Sequence, residues 1–590
     1  MDPEFRPDVI AMIASSTALM LTGIPFDGPV AGLRVTEDGK SFKAFAKREE
    51  YDANKLDIVV AGIESGITMV EAGAKEVSEK TIIDAIAWAH EAMQPAIELQ
   101  KKLVKKVGVK KLDYTLVLPD EEVLEEVKTW TDGKLGKALR APYPRHNELV
   151  EELREEFHKE MEAKLLSSAL TRLDELPLRL VEAEKRADFD EAFTKLIHND
   201  VREGIIKEGV RPDGRKLTEI RPLSSEVAFL PRTHGSSLFT RGVTQAMNIV
   251  TLAPLSYSQV VDTMELTDYE RRYMHHYNAP GYTVGEIKRL GSPGRREIGH
   301  GYLAERALTA VLPSVEDFPY TIRSVTEIMS QNGSTSMAAT CSSCLALMDA
   351  GVPIKRPVSG IAMGLMYQDE KAYVLSDIAD AEDFAGDMDF KVTGTTEGIT
   401  ALQMDMKVHG LPVTVLKQAL AQAKIGRGEI LAHMVSILAG PREHISPLAP
   451  RIEKITINPE KIGAVIGKGG ETINKIIVDT GAEIDIQDSG LITVAASDTE
   501  KINKAIKLIR DLTEEPEVGK VYDGTVVSIK DFGAFVNILP GSDGMLHISQ
   551  LSDKRVENVS DVLKVGQTVR VKLTSIDDKG RLGLTMKNVK

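Results

Sequence analysis

The chain has 590 residues, 42% of them apolar, two cysteines and a formal net charge of −15. That length holds several domains, and two cysteines cannot build a disulfide framework, so a small secreted scaffold is excluded and a reducing, cytoplasmic setting is expected. A uniformly basic binder is excluded too, but the charge is uneven: residues 111–200 hold 14 Lys/Arg against 22 Asp/Glu, while residues 451–590 hold 20 against 21, so any nucleic-acid contact in the C-terminal third must be local.

Residues 9–24, VIAMIASSTALMLTGI, have the apolarity of a signal-peptide core, yet Asp2, Glu4 and Asp8 precede them in place of a basic segment. No run approaches the roughly 20 apolar residues of a membrane span, and no membrane partner is expected. An internal repeat explains the segment better. GIPFDGPVAG from Gly23 reads like GVPIKRPVSG from Gly351, with Pro25, Pro29, Val30 and Gly32 on Pro353, Pro357, Val358 and Gly360. The preceding small-residue helices align as well, Ala18 on Ala346, so residues 9–24 are expected to form a core helix. LDIVVAGIESGIT from Leu56 matches MDFKVTGTTEGIT from Met388. Asp57 falls on Asp389, whereas Lys391 becomes Val59 and Asp383 becomes Tyr51, so the first copy has lost two members of a charged trio. The second copy also has a long N-terminal half, roughly residues 205–335, without a counterpart in the first; the first copy is expected to be partial and inactive.

Residues 76–105 predict a helix with Ile82, Ile83, Ala85, Ile86 and Ala89 to one side. Residues 120–200 are Glu-rich and helix-prone, with Pro142 and Pro144 as breakers, and read as a helical connector. From Arg211-Pro212-Asp213-Gly214-Arg215 the pattern alternates β and α until about 440, where Pro441, Pro447 and Pro450 mark a linker to two small modules.

Three segments of the second copy are candidates for chemistry. In GSPGRREIGHGYLAER (291–306), Arg295 and Arg296 follow a Gly/Pro loop and can grip phosphate oxygens bidentately, with His300 following; a plain surface basic pair has the same appearance. In QNGSTSMAATCSSCLALMDAG (331–351), the turn Asn332-Gly333 leads Ser334, Thr335 and Ser336 into a helix start, where hydroxyls and free backbone N–H groups bind anions; an ordinary N-cap needs only one of the three. Cys341 and Cys344 form a CxxC, but Ile13 and Ser16 replace them in the first copy, so helix packing is the expected role. In DIADAEDFAGDMDFKVTG (377–394), a strand over 387–393 would put Asp387, Asp389 and Lys391 on one face, with Asp383 in the loop entering it. Two carboxylates beside a lysine suit one Mg²⁺ and a phosphodiester; by residue type alone a solvated acidic loop is the commoner origin.

Residues 452–510 read strand, helix, GxxG, helix, strand, strand, helix, with Gly467-Lys468-Gly469-Gly470 as the loop. KH domains clamp a single strand with such a loop. A Walker A reading fails, because Gly469 stands where Ser/Thr is needed and Ile462 where glycine is needed. Residues 518–588 show about five short alternating strands, an OB barrel, with Phe532, Phe535, His547 and Arg581 (beside Asp577) placed to stack and pair single-stranded bases.

LPRTHGSSLFTRGVTQ (230–245), HYNAPGYTVGE (276–286), GRREIGHG (294–301), NGSTSMA (332–338), GDMDFK (386–391) and VIGKGG (465–470), in this order, resemble the bacterial polynucleotide phosphorylase family from residue 6 onward. The resemblance implies a multidomain α/β and α+β fold: a partial, inactive first RNase PH-like domain (6–105), a helical connector (106–203), a catalytic second RNase PH-like domain (204–445), a KH domain (450–512) and an OB-fold module (517–588). It implies phosphorolytic 3′-to-5′ degradation of single-stranded RNA to nucleoside diphosphates, reversible as polymerisation, with a role in mRNA degradation. Asp383 and Asp389 become the metal ligands and, with Lys391 and His300, the catalytic set. Ser334, Thr335, Ser336, Arg295 and Arg296 become the phosphate pocket. Mg²⁺, with Mn²⁺ as a substitute, and inorganic phosphate are the implied cofactor and co-substrate. A ring-shaped homotrimer, and RNA helicases or endoribonucleases as partners, are implied as well. A missing first half-domain is expected to leave apolar surface and a sheet edge exposed. The alternative is a non-catalytic RNA-binding scaffold; a hydrolytic nuclease is a third reading, disfavoured by the Ser/Arg pocket.

Overall fold

Alternating apolar residues in the two copies of the repeat build opposite halves of one sheet. In the computed structural model, which describes residues 4–589 apart from 117, 119, 142–144, 170–177, 264–265, 290, 540, 555 and 578–579, the eight strands run in the order Lys371–Ser376, Ser359–Gln368, Met388–Gly394, Ile399–Met406, Gly66–Val77, Leu56–Ile63, Ala31–Glu37, Phe42–Ala44. Read from either end, the order meets matching strands of the two copies in the same sequence. The copies join at its centre, where Ile399–Met406 pairs antiparallel with Gly66–Val77 and sets Gln403 opposite Glu71. The repeat is therefore a structural duplication closed by backbone hydrogen bonds, and each half covers an edge the other would otherwise leave open.

Helices Glu79–Val107 and Val413–Ile437 each follow their copy's last strand and pack on the sheet and on each other. The first buries Ile82, Ala85, Ile86 and Ala89 as the sequence spacing requires, and Arg427 and Lys424 of the second reach its Glu79.

A second sheet of five strands belongs to the second copy, in the order Tyr273–Asn278, Thr321–Ser330, Thr244–Ala253, Gly235–Arg241, Leu223–Val227. Tyr273–Asn278 and Thr321–Ser330 are parallel, so their connection must cross over, and helix Arg295–Thr309 makes that crossover. Helix Thr335–Asp349 lies between the two sheets and touches strands of both, with all fifteen residues buried. Its small side chains allow that double approach. Cys341 Sγ accepts from Gly360 N at 3.4 Å and Cys344 Sγ from Val358 N at 3.2 Å, so the CxxC is packing.

The matching helix of the first copy, Asp8–Leu21, corrects one expectation. It is not a core helix: only Val9 and Ser16 are buried, and Ile10 is 56% exposed. Among the described residues it packs on Ala31–Glu37 and Glu79–Val107, with no second sheet on its other side. Its internal bond is nonetheless preserved, since Ser16 Oγ accepts from Val30 N at 2.9 Å as Cys344 does from Val358.

Among the described residues the connector folds as helices Glu121–Thr131, Leu135–Leu139, Arg145–Ala169 and Leu178–Glu203. Phe157 is their hub, with Trp130 and Phe189 edge-on at centroid distances of 5.2 and 5.1 Å. Pro142 and Pro144 lie outside the described residues. Among the described residues, no helix is long and apolar enough to cross a membrane.

The chain divides into two compact units, Met1–Leu252 with Tyr257–Leu448, and Ala449–Lys590 with Ala253–Ser256. The second holds a three-stranded sheet, Arg451–Thr456, Leu491–Ala496, Glu483–Ile486, backed by helices Ile462–Ile466, Glu471–Thr480 and Thr499–Thr513. It also holds a closed five-stranded barrel of residues 521–585 around Val526, Val536, Leu546, Val571 and Leu573.

Candidate functional site

Three local structures of the second copy meet in one polar pocket. The first is strand Met388–Gly394. Its period of two buries Met388, Phe390 and Val392 and sets Asp389 and Lys391 side by side on the other face, where Lys391 Nζ bonds the Asp389 Oδ2. Asp387 leaves this set. It precedes the strand, and its carboxylate accepts from Arg202 Nη1 at 2.8 Å and Tyr367 N at 2.6 Å, so it anchors structure.

The second is the short helix Asp380–Ala385, which carries Asp383 where a loop was expected. Glu382 accepts from the Ala379 amide at 2.8 Å, the reach-back that starts a helix. The same Glu382 is fully buried and takes Arg211 through both oxygens at 2.5 and 2.6 Å. Asp383 faces the pocket and also Lys407, whose Nζ is 3.2 Å from Oδ1.

The third is the turn Asn332-Gly333-Ser334 that opens helix Thr335–Asp349. Ser334 is left-handed at φ +51°, a conformation that costs a non-glycine residue of order 1 kcal/mol or more. Buried charge holds it there. Arg221 takes Asp377 through both oxygens at 2.7 and 2.9 Å and donates to the Asn332 carbonyl, and Arg241 donates to the Ser334 carbonyl at 3.2 Å. Burial opposes the charge of Asp377, yet Arg221, Arg241 and Arg215 hold its carboxyl far below the usual range. A Cβ on Gly333 would meet the Ile378 carbonyl at 2.5 Å, so only glycine lets this turn lie against the segment leading to Asp380.

Facing these, helix Arg295–Thr309 brings Arg296 and His300 to the pocket. Two arginines in a first turn oppose the helix dipole, an arrangement that an anion would relieve. Arg296 lines the pocket; Arg295 is exposed and does not. Ser334 and Thr335 line it, while Ser336 is fully buried outside the lining. Burial, with Lys391 and Arg296 adding, pushes the His300 imidazole down to about 3, so it is neutral at physiological pH. Burial also pushes the Asp389 carboxyl up, with Lys391 opposing.

Asp380 and Gln331 line the pocket as well, although sequence reasoning gave neither a role. Asp380 was one of six acids in its run, and spacing alone could not single it out. Tyr277, inside the HYNAPGYTVGE segment, carries no such signal either; its hydroxyl donates to Thr335 Oγ1 at 2.6 Å.

The donor set fits a hard divalent cation. Asp389 Oδ1 is buried with no hydrogen-bond partner, and Asp383 faces the same pocket. Two carboxylates without a larger cage match Mg²⁺, which keeps waters and substrate oxygens as its remaining ligands; among the described residues, no cluster of three or more His, Cys, Asp or Glu is arranged to hold a metal. Ser334 Oγ is likewise buried without a partner, as an anion-binding hydroxyl would be.

In the second unit, Gly467, Gly469 and Gly470 all have φ between +63° and +84°. A Cβ on Gly467 would lie 2.2 Å from Thr472 Oγ1, so the loop needs glycine there, and it leaves Lys468 exposed. On the barrel, Phe532 is 50% exposed, and Phe535 lies on the outer face across from Met545, with Ala534 and Val536 in the core. His547 pairs with Gly533 beside Phe532. Arg581 is exposed, but its Nε donates to Asp577 at 2.7 Å.

Residues 219–353 match the 3′ exoribonuclease family, domain 1, residues 452–511 the KH domain, and residues 515–587 the S1 RNA binding domain. Relatives share close to half their residues with this chain. Polyribonucleotide nucleotidyltransferase of Halothermothrix orenii is 47% identical over 99% of this chain and 82% of its own length. That of Enterococcus faecalis is 47% identical over 99% and 82%, and that of Listeria welshimeri 46% over 99% and 79%. The solved structure of rice Rrp46 aligns with 38% of this chain and 98% of its own, at 20% identity and a TM-score of 0.31.

Proposed function

The chain belongs to the polyribonucleotide nucleotidyltransferase family, and from that premise we propose that the pocket around Asp389 and Ser334 is its phosphorolytic centre. The activity is phosphate-dependent 3′ exoribonuclease action. Inorganic phosphate attacks the phosphorus of the last internucleotide linkage; the bond to the penultimate 3′ oxygen breaks, that oxygen takes a proton, and a nucleoside diphosphate leaves. One phosphoanhydride forms for one phosphodiester broken, so the reaction also runs backwards as polymerisation. The scaffold reading is not favoured.

The observation that carries the assignment is convergence: an unpaired buried carboxylate oxygen, a lysine, an anion-ready turn and an arginine share one small pocket. In this reading Ser334, Thr335 and Arg296 hold the attacking phosphate, and Arg295, outside the lining, adds only long-range attraction. Ser336 Oγ is also buried without a partner, but outside the lining, and makes no phosphate contact in this reading. His300, neutral, faces the phosphate. Lys391 neutralises charge building on the scissile group, and its contact with Asp389 fixes its aim. Mg²⁺ or Mn²⁺, held by Asp383 and Asp389, supplies Lewis-acid stabilisation of the phosphodiester oxygens when bound. The protein's own contribution is positioning and preorganised charge.

The KH and S1 modules bind single-stranded RNA and raise its concentration near the pocket. Gly467, Lys468, Gly469 and Gly470 clamp the backbone, while Phe532, Phe535 and His547 stack bases. The half-exposed apolar helix Asp8–Leu21 supports an assembled form, and a homotrimer is the form we propose, with a cytoplasmic role in mRNA degradation alongside RNA helicases or endoribonucleases.

Purified protein incubated with poly(A) and Mg²⁺, with and without phosphate, tests the reading. ADP released only with phosphate is expected. AMP without a phosphate requirement would mean hydrolysis and would remove the phosphate assignment of the pocket.

A further inference from the structure

Behind the pocket-lining Thr335 and His300 stands a buried polar group that the proposed reaction does not use, the hydroxyl of Tyr277. It sits on strand Tyr273–Asn278 with the side chain buried. Helix Arg295–Thr309 crosses back over that strand so closely that a Cβ on Gly301 would come within 3.2 Å of the Tyr277 Cβ. Gly301 thus lets the neighbouring His300 ring lie edge-on to the phenol, with centroids 5.2 Å apart at 70°.

Three polar atoms meet there. The Tyr277 hydroxyl is 2.6 Å from Thr335 Oγ1 and 3.3 Å from His300 Nδ1, and Thr335 Oγ1 is 3.4 Å from the same Nδ1. A phenol has one proton, and the short contact assigns it to Thr335. The phenol oxygen is then an acceptor toward His300, which satisfies the pair only if Nδ1 carries the hydrogen. A neutral imidazole protonated at Nδ1 has its lone pair on Nε2. The other arrangement, Thr335 donating to Nδ1, uses the longer contact and would present an Nε2–H instead.

We propose that Tyr277 is a positioning residue that holds His300 in the Nδ1–H tautomer, so that Nε2 accepts a hydrogen bond from the proton of bound hydrogen phosphate. The proposal rests on the reading of this pocket as the phosphate site. It makes the site selective for an oxyanion that keeps a proton at neutral pH: sulfate has the same shape and charge but offers no such donor.

The test uses the whole chain and its Tyr277→Phe variant, which keeps the ring and removes the hydroxyl. KM for phosphate is expected to rise about tenfold, the worth of one hydrogen bond to a charged group. Inhibition by sulfate is expected to stay unchanged, so the preference for phosphate over sulfate shrinks. A purely structural defect would weaken both anions alike or lower kcat alone. Nitrogen shifts of isotopically labelled histidine, with His300→Gln identifying the resonance, should show the Nδ1–H form in the wild type and a tautomer mixture in Tyr277→Phe. An Nε2–H ring in the wild type, or an unchanged phosphate-to-sulfate preference in the variant, overturns the proposal. Arg296→Ala separates the two levels. If it raises KM for phosphate while Tyr277→Phe does not, the Tyr277 role alone is lost; if neither variant moves KM, the phosphate reading of the pocket goes with it.

Discussion

Arg34 grips Asp57 through both carboxylate oxygens, at 2.7 and 2.5 Å. Asp57 occupies in the first copy the strand position of Asp389 in the second, but the cation beside it has changed strands. Arg34 stands opposite Val59, whereas Ala362 stands opposite Lys391. A lysine on the aspartate's own strand leaves one oxygen of Asp389 unpaired; an arginine from the next strand leaves none on Asp57. Tyr51, in the place of Asp383, donates to the Arg34 carbonyl at 2.9 Å and stacks under its guanidinium. At this position the first copy holds a structural ion pair.

Asp57→Asn is therefore expected to cost about 2 kcal/mol of stability, the scale of a partly buried charged pair, and to leave phosphorolysis within about twofold of wild type. Thermal unfolding and ADP release read the two effects. Lost turnover at unchanged Tm would give the first copy a chemical role.

Asp389→Asn is expected to behave in the opposite way. Burial already disfavours its charge, so Tm should hold or rise, while turnover falls roughly a thousandfold, as when a preorganised electrostatic group is removed. Mn²⁺-induced relaxation of water protons should weaken in the same variant. Intact Mn²⁺ binding would remove Asp389 from the metal set.

Stability should depend on pH through His275. Its ring is buried, with Nε2 2.8 Å from Ser343 Oγ, and burial pushes it down to about 3. The folded state keeps it neutral while the unfolded chain protonates it near its ordinary value of about 6.5. Its contribution is thus full above that value and is lost as pH falls toward 3, at about 1.4 kcal/mol per pH unit for one proton. Urea unfolding of wild type and His275→Gln from about pH 7 to 5 should show the stability difference shrinking at that slope. A pH-independent difference would mean that the ring is not neutral in the fold.

Cys341 and Cys344 should resist thiol reagents in the folded protein. Burial pushes the thiols up to about 11 and 12, and the reactive species is the thiolate. Both should react only on unfolding, with a rate set by global opening; fast labelling of the native protein would contradict their packing role.

RNA affinity should separate into stacking and charge. Phe532→Ala is expected to cost about 1–3 kcal/mol in binding to oligo(A) with little change in salt dependence. Lys468→Ala should weaken binding to all sequences alike and lower the salt slope by about one. If both variants bind as wild type does, the RNA path lies elsewhere on the chain.

The sequence alone determined what depends on short-range periodicity and on repetition. Strand alternation made Asp389 and Lys391 neighbours, the matched segments announced two copies, and the glycines of 467–470 announced a backbone loop. The same local logic misplaced Asp387, because only the fold shows Arg202 and the Tyr367 amide waiting for its carboxylate. It made residues 9–24 a core helix by analogy with their twin, although burial is decided by what packs on the far side. Asp380, Gln331 and Tyr277 stayed silent for a related reason. The Tyr277 hydroxyl reaches Thr335 and His300, and Asp380 reaches the same pocket, from elements distant in the chain, while Gln331, next to the turn, lines it only once the two sheets close around helix Thr335–Asp349.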